Sequence, residues 1–466
     1  IDSLHKQAGR VFDVLFIDEF LQVLRHIASA GTTQERTIPL YEIFKQLIRS
    51  AGTVIVADAN LNDSALLWLK AIRGDVYAVE NAHLPTRPDT IIFDSQIAAI
   101  EQAISLVKAD KGTVLIPCAT QKTARLMHRL LQSQCPDKRG EIITARNSET
   151  HRVKTFVKDI NERLPELDWL IYTSSMGTGV DIQCPVYAVV GIFGNPVSPA
   201  DALQMISRAR YFELRYAYVP ETVGAGSFNP DRLLAQQLNA AAQTSQQTSA
   251  PAPDAHTAGH ARLKAVLDAG DNRAAARYLD IFAAYLAADG SAARMEARGA
   301  AAIVKTMWRE INEADGEQQK TLTLDTVQVA TISRDQFETL RISGQETTDA
   351  IHAGYLRWKI EYASGLKIAP VLYDKLHSAE QRRRLARFAC LIDDESALAA
   401  LDQVDAQNRL PLHRRRHSKA TARLVMGIIK RAFNVESVEE LKTTLVNIPR
   451  AELETKVAFI PELHTA

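Results

Sequence analysis

Leu170 to Arg210 reads LIYTSSMGTGVDIQCPVYAVVGIFGNPVSPADALQMISRAR, and this alternation of apolar runs and polar turns decides the fold. Trp169 to Tyr172 is a short apolar run that stops at two hydroxyls, Thr173 and Ser174. Gly177 and Gly179 follow, then Val180, Asp181 and Ile182. A second apolar run, Val186 to Phe193, leads through a Pro-rich turn into a helical segment carrying Gln204, Ser207, Arg208 and Arg210. Two apolar strands, each delivering polar groups at its carboxyl end, describe an open α/β sheet with a ligand crevice. Glycines admit close backbone approach and arginines answer negative charge, so the expected ligand is anionic.

The same rhythm extends upstream. Val11 to Ile17 (VFDVLFI) is a mostly apolar strand ending in Asp18-Glu19. An acidic pair there suits Mg²⁺ binding by the Asp and activation of a water by the Glu, although such pairs also end ordinary core strands. Thr53 to Ala57 is a second strand, ending in Asp58-Ala59-Asn60, where Asn60 or Asn62 also reads as a plain helix N-cap. From Thr90 the pattern restarts with strands at Ile91–Phe93, Gly112–Pro117 and Glu141–Thr144 and helices between them, enough for a parallel sheet of their own. Asn81 to Pro88 is the expected hinge. Thr120, Gln121 and Lys122 open a helix, placed either to hold a backbone phosphate or simply as a solvated helix start.

Composition narrows the class. Lys+Arg and Asp+Glu each total 55 in 466 residues, so any nucleic-acid surface is local and not a global excess. Cys118, Cys135, Cys184 and Cys390 lack C-x-x-C spacing and read as reduced thiols, which predicts a cytoplasmic protein without a zinc site. No apolar run approaches the roughly 20 residues of a membrane span, so no membrane partner is expected. Arg215 to Val219 reads as a final strand, and Ala240 to Gly259 (AAAQTSQQTSAPAPDAHTAG) as a linker. Beyond it, Asn272–Ala287 and Ala292–Asn312 read as helices, and Thr321–Ile332 as an extended exception. Gln407 to Arg431 holds eight Lys/Arg, two His and no acid, including Arg414, Arg415 and Arg416. That block is either a solvated face or a set of phosphate contacts.

Taken in order, these pieces resemble the superfamily-2 helicases, across roughly residues 8 to 220. FIDEF (Phe16–Phe20) is similar to motif II, VADAN (Val56–Asn60) stands in the place of motif III, and VLIPCATQKTARL (Val114–Leu126) is similar to the motif IV region. TSSMGTGVDI (Thr173–Ile182) resembles motif V and QMISRAR (Gln204–Arg210) motif VI. The Asp-Glu pair followed by FLQVLRH (Phe20–His26) most resembles the origin-binding-protein type, and the large plasmid replication proteins of cyanobacterial type in particular.

The resemblance implies an α/β fold of two RecA-like lobes with parallel sheets, the first incomplete, followed by a mostly α-helical region. The expected divisions are 1–83, 84–220, a helix and linker over 221–260, and a helical accessory domain over 261–466. It implies ATP and Mg²⁺ as cofactors, with DNA and other replication proteins as partners. Asp18 would bind the metal and Glu19 activate water. Gln204, Gly179 and Asp181 would serve the nucleotide, with Arg208 or Arg210 as arginine finger. Thr173, Ser174, Thr120 and Arg414 to Arg416 would contact nucleic acid. The implied activity is an ATP-dependent helicase or translocase of plasmid or phage-like replication initiation. A nucleic-acid-binding initiator using the motor fold as a scaffold is the alternative, and a metabolic enzyme with a phosphorylated ligand a weaker third.

Two departures stand out. Motif VI of the family has a Gly before each of two arginines, with two residues between them; here Ser207 replaces the first Gly and Arg210 comes one residue early. No G-x-x-x-x-G-K-[ST] phosphate loop occurs anywhere in the chain, which starts at Ile1 without Met, and the expectation is a carboxyl-terminal portion of a longer protein. The 466-residue chain by itself is therefore expected to hydrolyse no ATP in a phosphate-release assay. Robust turnover abolished by Glu19→Gln would contradict this.

Overall fold

The computed structural model describes residues 4–29, 36–81, 86–177, 179–194, 196–224, 226–247 and 253–382, with a few positions between 430 and 444. Arg414, Arg415 and Arg416 lie outside the described residues. Two compact units result. One gathers Ile1–Val79 and Ser227–Gly270, the other Glu80–Gly226 and Asp271–Ser378.

The first unit opens with β1 (Val14–Ile17) and α1 (Phe20–Ala28), then α2 (Thr37–Ser50), β2 (Thr53–Val56) and α3 (Asp63–Arg73). β1 and β2 pair in parallel, from Val14 opposite Thr53 to Ile17 opposite Val56. Apolar residues at helical spacing build the core: Phe20, Leu24 and Ile27 from α1 meet Tyr41, Phe44 and Ile48 from α2 and Leu69 from α3. Trp68 stacks on Phe44 with ring centroids 5.9 Å apart. Val14, Phe16 and Ile55 remain exposed, an apolar surface of the kind parallel sheets normally bury.

The second unit carries β3 (Thr90–Phe93), α4 (Gln96–Lys108), β4 (Val114–Pro117), α5 (Gln121–Gln134) and β5 (Gly140–Ile143). It continues with α6 (His151–Lys158), a short α7 (Ile160–Arg163), β6 (Trp169–Tyr172), β7 (Val186–Ile192), α8 (Pro199–Ile206) and β8 (Phe212–Tyr218). The chain then returns to the first unit through α9 (Pro230–Gln247) and α10 (Ala255–Ala276). Ala240–Gly259 is thus largely helical, against the linker reading: its Ala and Gln are good helix formers, and Leu263 and Leu267 of α10 are buried in the α1–α3 core. His260 sits in the same packing, its Nε2 3.2 Å from the Ile27 carbonyl oxygen and its ring edge-on to Tyr41.

The described part of the helical region beyond, Asp271–Ser378, joins the second unit instead of standing apart. α11 (Tyr278–Ala288) is followed by β9 (Ala293–Glu296), where a helix was expected, and β9 pairs in parallel with β3. The sheet has seven strands, all parallel, in the order β5-β6-β4-β7-β8-β3-β9, so β8 is not its last strand. Alternate residues feed two cores. Leu115, Leu170, Tyr172 and Val189 pack on one face with Tyr278, Phe282 and Leu286 of α11. Val114, Ile116, Trp169, Ile171 and Val190 pack on the other with α4 and α5. α12 (Ala302–Leu324) lays Val304, Met307, Trp308 and Ile311 on that second core. It runs to Leu324, so Thr321–Leu324 is helical where an extended segment was expected.

α13 (Arg334–Ile342), α14 (Asp349–Ser364) and α15 (Pro370–Leu376) complete the unit. Three arginines fasten α12 and α14: Arg125 contacts Asp315 at 2.8 Å and Asp349 at 3.0 Å, Arg129 reaches the same two carboxylates, and Arg146 pairs with Asp349.

Because Phe282 is fully buried among the strands, Phe282→Ala is expected to destabilise the second unit by about 3–5 kcal/mol in urea unfolding; a loss under about 1 kcal/mol would mean α11 is dispensable. Burial pulls the His260 imidazole down from 6.5 to about 4, so it is neutral in the folded chain. Its contribution is complete above about pH 6.5 and is lost as pH falls toward 4, at up to about 1.4 kcal/mol per pH unit. His260→Phe is expected to flatten that acid slope of the unfolding free energy; an unchanged slope would contradict the assignment.

Candidate nucleotide and nucleic-acid site

In the first unit the acidic pair sits where β1 turns into α1. Asp18 is exposed and Glu19 half-buried. Glu19 is held at φ 52°, ψ 49°, a left-handed conformation that costs a non-glycine residue on the order of 1 kcal/mol or more and gathers at functional turns. Its amide donates to Asp18 Oδ1 at 3.0 Å. The turn is fixed from β2's end: the Ala57 amide donates to the Ile17 carbonyl at 2.9 Å, and the Phe20 amide to the Ala57 carbonyl at 3.2 Å. Asp58 completes it, accepting from the Leu21 amide at 2.7 Å and from its own turn at the Asn60 amide, also 2.7 Å. Asp58 therefore caps α1 from 37 residues away, a role the sequence did not disclose. Asn62, one of the two expected caps, accepts from the Ala65 amide at the start of α3.

The second unit holds the other set. Thr173 is buried at 5% exposure, its amide bonded to the Ile143 carbonyl, whereas Ser174 is exposed on a single turn of 3₁₀ helix. The hydroxyl pair is thus split, and only Ser174 faces solvent. Gly177 and Gly179 follow at φ 88° and 83°, with open space around both, so conformation and not crowding requires glycine there. Asn161 pins the next stretch: its amide nitrogen donates to the Asp181 carbonyl, and its Oδ1 accepts from the Gln183 and Cys184 amides.

Ile182 then joins the α8 exit by a parallel bridge to Ala209, with the Ile182 amide on the Arg208 carbonyl and the Arg210 amide on the Ile182 carbonyl, each at 2.9 Å. Within that frame the two arginines part ways. Arg210 is half-exposed and donates through Nε to Asp181 Oδ1 at 2.5 Å. The Gln183 amide and that guanidinium hold the Asp181 carboxyl below its usual range.

Arg208 is buried at 8% exposure, lies 5.7 Å over the Tyr172 ring and leaves Nη1 without a hydrogen bond. Burial pulls its pKa below the usual arginine range. No ion pair joins it among the described residues. The Tyr172 hydroxyl donates to the Met205 carbonyl at 2.8 Å, securing the last turn of α8, on which Gln204 is half-buried.

Ser207, standing where the family pattern has Gly, caps the end of α8 and donates to Asp289 Oδ2 at 3.1 Å. Asp289 also accepts from the fully buried Arg215 at 3.2 Å and lies 3.4 Å from Arg87 Nε. Thr120 is committed to its helix, accepting from the Thr123 amide at 3.0 Å, so its hydroxyl serves as an N-cap. Among the described residues no three His, Cys, Asp or Glu are grouped to hold a metal unaided, and no helix is long and apolar enough to cross a membrane.

An exposed carboxylate on a strained turn and a buried cation without a counter-ion are the groups that matter against known proteins. The chain is similar to viral helicase/primase proteins. A "Putative helicase/primase complex protein" of African swine fever virus, strain Badajoz 1971, is 25% identical over 225 residues, 45% of this chain and 21% of that protein. The Malawi tick isolate's counterpart is 24% identical over 225 residues, 45% of this chain and 20% of its own length. The chain thus spans about a fifth of the length of the curated relatives it matches.

No family model matches. Superposition on Mss116p bound to ssRNA and AMP-PNP gives a TM-score of 0.41 at 13% identity, over 83% of this chain and 67% of that one. Dbp5 of S. cerevisiae bound to RNA and ADP BeF3 gives 0.36 at 17% identity, over 47% and 57%. These scores are low, and the parallel α/β assignment rests on the chain's own strand order.

Proposed function

We propose that this chain is the motor part of an ATP-driven nucleic-acid helicase or translocase that acts on DNA in replication, of the origin-binding type, together with other replication proteins. The observation that carries the reading is Arg208: a buried guanidinium with an unpartnered nitrogen and, among the described residues, no carboxylate is the group a phosphate completes. Arg210, already paired with Asp181, is the lesser candidate for the arginine finger. The viral helicase/primase relatives support the class, and the bare Val14–Phe16–Ile55 surface agrees with a first lobe that needs further polypeptide to cover it.

Asp18 is a single exposed carboxylate, which fits Mg²⁺ bound jointly by one protein oxygen and nucleotide phosphates. Bound ATP would supply the phosphoryl group whose transfer drives the cycle. Glu19 would orient and deprotonate the attacking water, its backbone fixed by the strained turn. Arg208 would spread over the charge developing on the transferring phosphoryl, and Gln204 on the same segment would position it. Asp181, locked to Arg210, would couple the Gly177–Gly179 loop to the arginine segment, and Ser174, with Thr173 behind it, would meet a strand phosphate.

With a phosphate-loop segment supplied to this chain, which has none of its own, Arg208→Ala is expected to lower DNA-stimulated ATP turnover by on the order of 10³–10⁵, and Arg210→Ala by far less. Equal losses, or a larger loss at Arg210, would reverse the assignment.

A further inference from the structure

α14 buries one face, and its aromatic side chains lie on the other, Tyr355 and Trp358 half-buried and Tyr362 exposed. The buried positions are Ala353, Gly354, Arg357 and Ile360. Gly354 presses its backbone so close that a Cβ there would lie 2.1 Å from the Ala330 carbonyl oxygen. Arg357 spends its guanidinium on the carbonyls at the end of α12, at Thr323 (2.7 Å), Leu322 (3.2 Å) and Asp325 (2.6 Å), and on that of Val329. At 3.6 residues per turn, Tyr355, Trp358, Lys359 and Tyr362 fall on the roughly opposite side. This i, i+3, i+4, i+7 set has the spacing of a core stripe, yet it does not form the core.

Those rings are aligned. Phe337 of α13 stacks on Tyr355 at 4.2 Å and 13°, Tyr355 on Trp358 at 5.9 Å and 16°, and Trp358 on Tyr362 at 5.0 Å and 20°. Tyr362, at the end, is 77% exposed. Lys359 Nζ lies 3.8 Å from the Tyr355 ring centroid, so a cation is built into the ladder. Arg334 is exposed one turn before Phe337. Of the nearby carboxylates, Glu338 pairs with Arg341 at 2.9 Å, Glu361 with Lys367 at 3.7 Å and the Ile368 amide at 3.0 Å, and Asp335 is exposed beside Arg334.

We propose that the Phe337–Tyr355–Trp358–Tyr362 ladder is a stacking platform for single-stranded nucleic acid, with bases on the Trp358–Tyr362 end and phosphates on Lys359 and Arg334. Aromatic faces accept any base, so the platform is sequence-tolerant, and the lysine matches the backbone that links the bases. The choice of nucleic acid over another occupant rests on the motor reading above. The binding assay uses no ATP, so a failed platform and a failed motor are separable.

The test is fluorescence anisotropy of a labelled oligothymidylate with the full chain, followed by ultraviolet cross-linking of a 5-bromodeoxyuridine oligonucleotide and peptide mapping. Tyr362→Ala and Trp358→Ala are each expected to weaken binding about fivefold to 150-fold, and Trp358→Phe by much less, with the cross-link falling on Trp358 or Tyr362. Lys359→Ala is expected to flatten the dependence of log affinity on log salt, which the Tyr362 change leaves intact. Tyr362 is exposed enough for its removal to leave the fold standing, and circular dichroism checks this. Binding within twofold of the parent in both alanine variants would overturn the proposal and assign the face to a protein partner or a second copy. A parent that binds no single strand would overturn it as well.

Discussion

A cation held out of water without an anion beside it is costly, and in this protein that cost falls on Arg208. The surrounding structure is organised to keep it there. Tyr172, at the end of a central strand, lies under the guanidinium and hydrogen-bonds the Met205 carbonyl, fixing the turn from which Arg208 leaves α8. The bridge between Ile182 and Ala209 locks the backbone on both sides. Asp181, one residue before the bridged Ile182, is taken up by Arg210. An arginine so placed gains most from a ligand that brings negative charge, which is why the proposed phosphate contact is assigned to it.

The strained Glu19 is the corresponding feature of the first unit. A left-handed glutamate survives because Asp58, the Ala57 carbonyl and the α1 start overdetermine the turn. Both sites put polar groups at strand ends and leave the strands apolar, as the parallel α/β plan demands. The later helices extend that plan. α11 fills one core of the seven-stranded sheet, β9 lengthens the sheet, and Arg125, Arg129 and Arg146 tie α12 and α14 to it through Asp315 and Asp349. Three half-buried guanidiniums share two carboxylates there, so removing either acid would leave an excess of partly buried positive charge.

Much of this was legible in the chain itself, because apolar runs of strand length bounded by turn residues carry a local signal. The strands at Thr53, Val114, Trp169 and Val186 and the helix opening at Gln121 stand where the pattern put them, whereas the helical segment expected to carry Ser207, Arg208 and Arg210 ends at Ile206. What failed was non-local. Ala293–Glu296 is Ala- and charge-bearing and reads as helix, but the free edge of β3 draws it into the sheet. The Ala- and Gln-rich stretch after Ala240 reads as linker, yet its helix propensity and the buried leucines of α10 decide otherwise. Periodicity shows that α11 has a buried face and not which core it enters. Asp58 caps a helix far away in sequence, Asn161 grips a loop 20 residues on, and no spacing rule encodes either. Thr120 reads equally as cap or phosphate contact, and its hydroxyl is taken by the cap.

A motor of this kind must couple nucleotide to nucleic acid. The direct measurement is steady-state ATP hydrolysis by this chain supplied with a phosphate-loop segment, titrated with single-stranded DNA. Saturable stimulation by the strand is the expected result. Turnover that is absent, or indifferent to every nucleic acid offered, would contradict it.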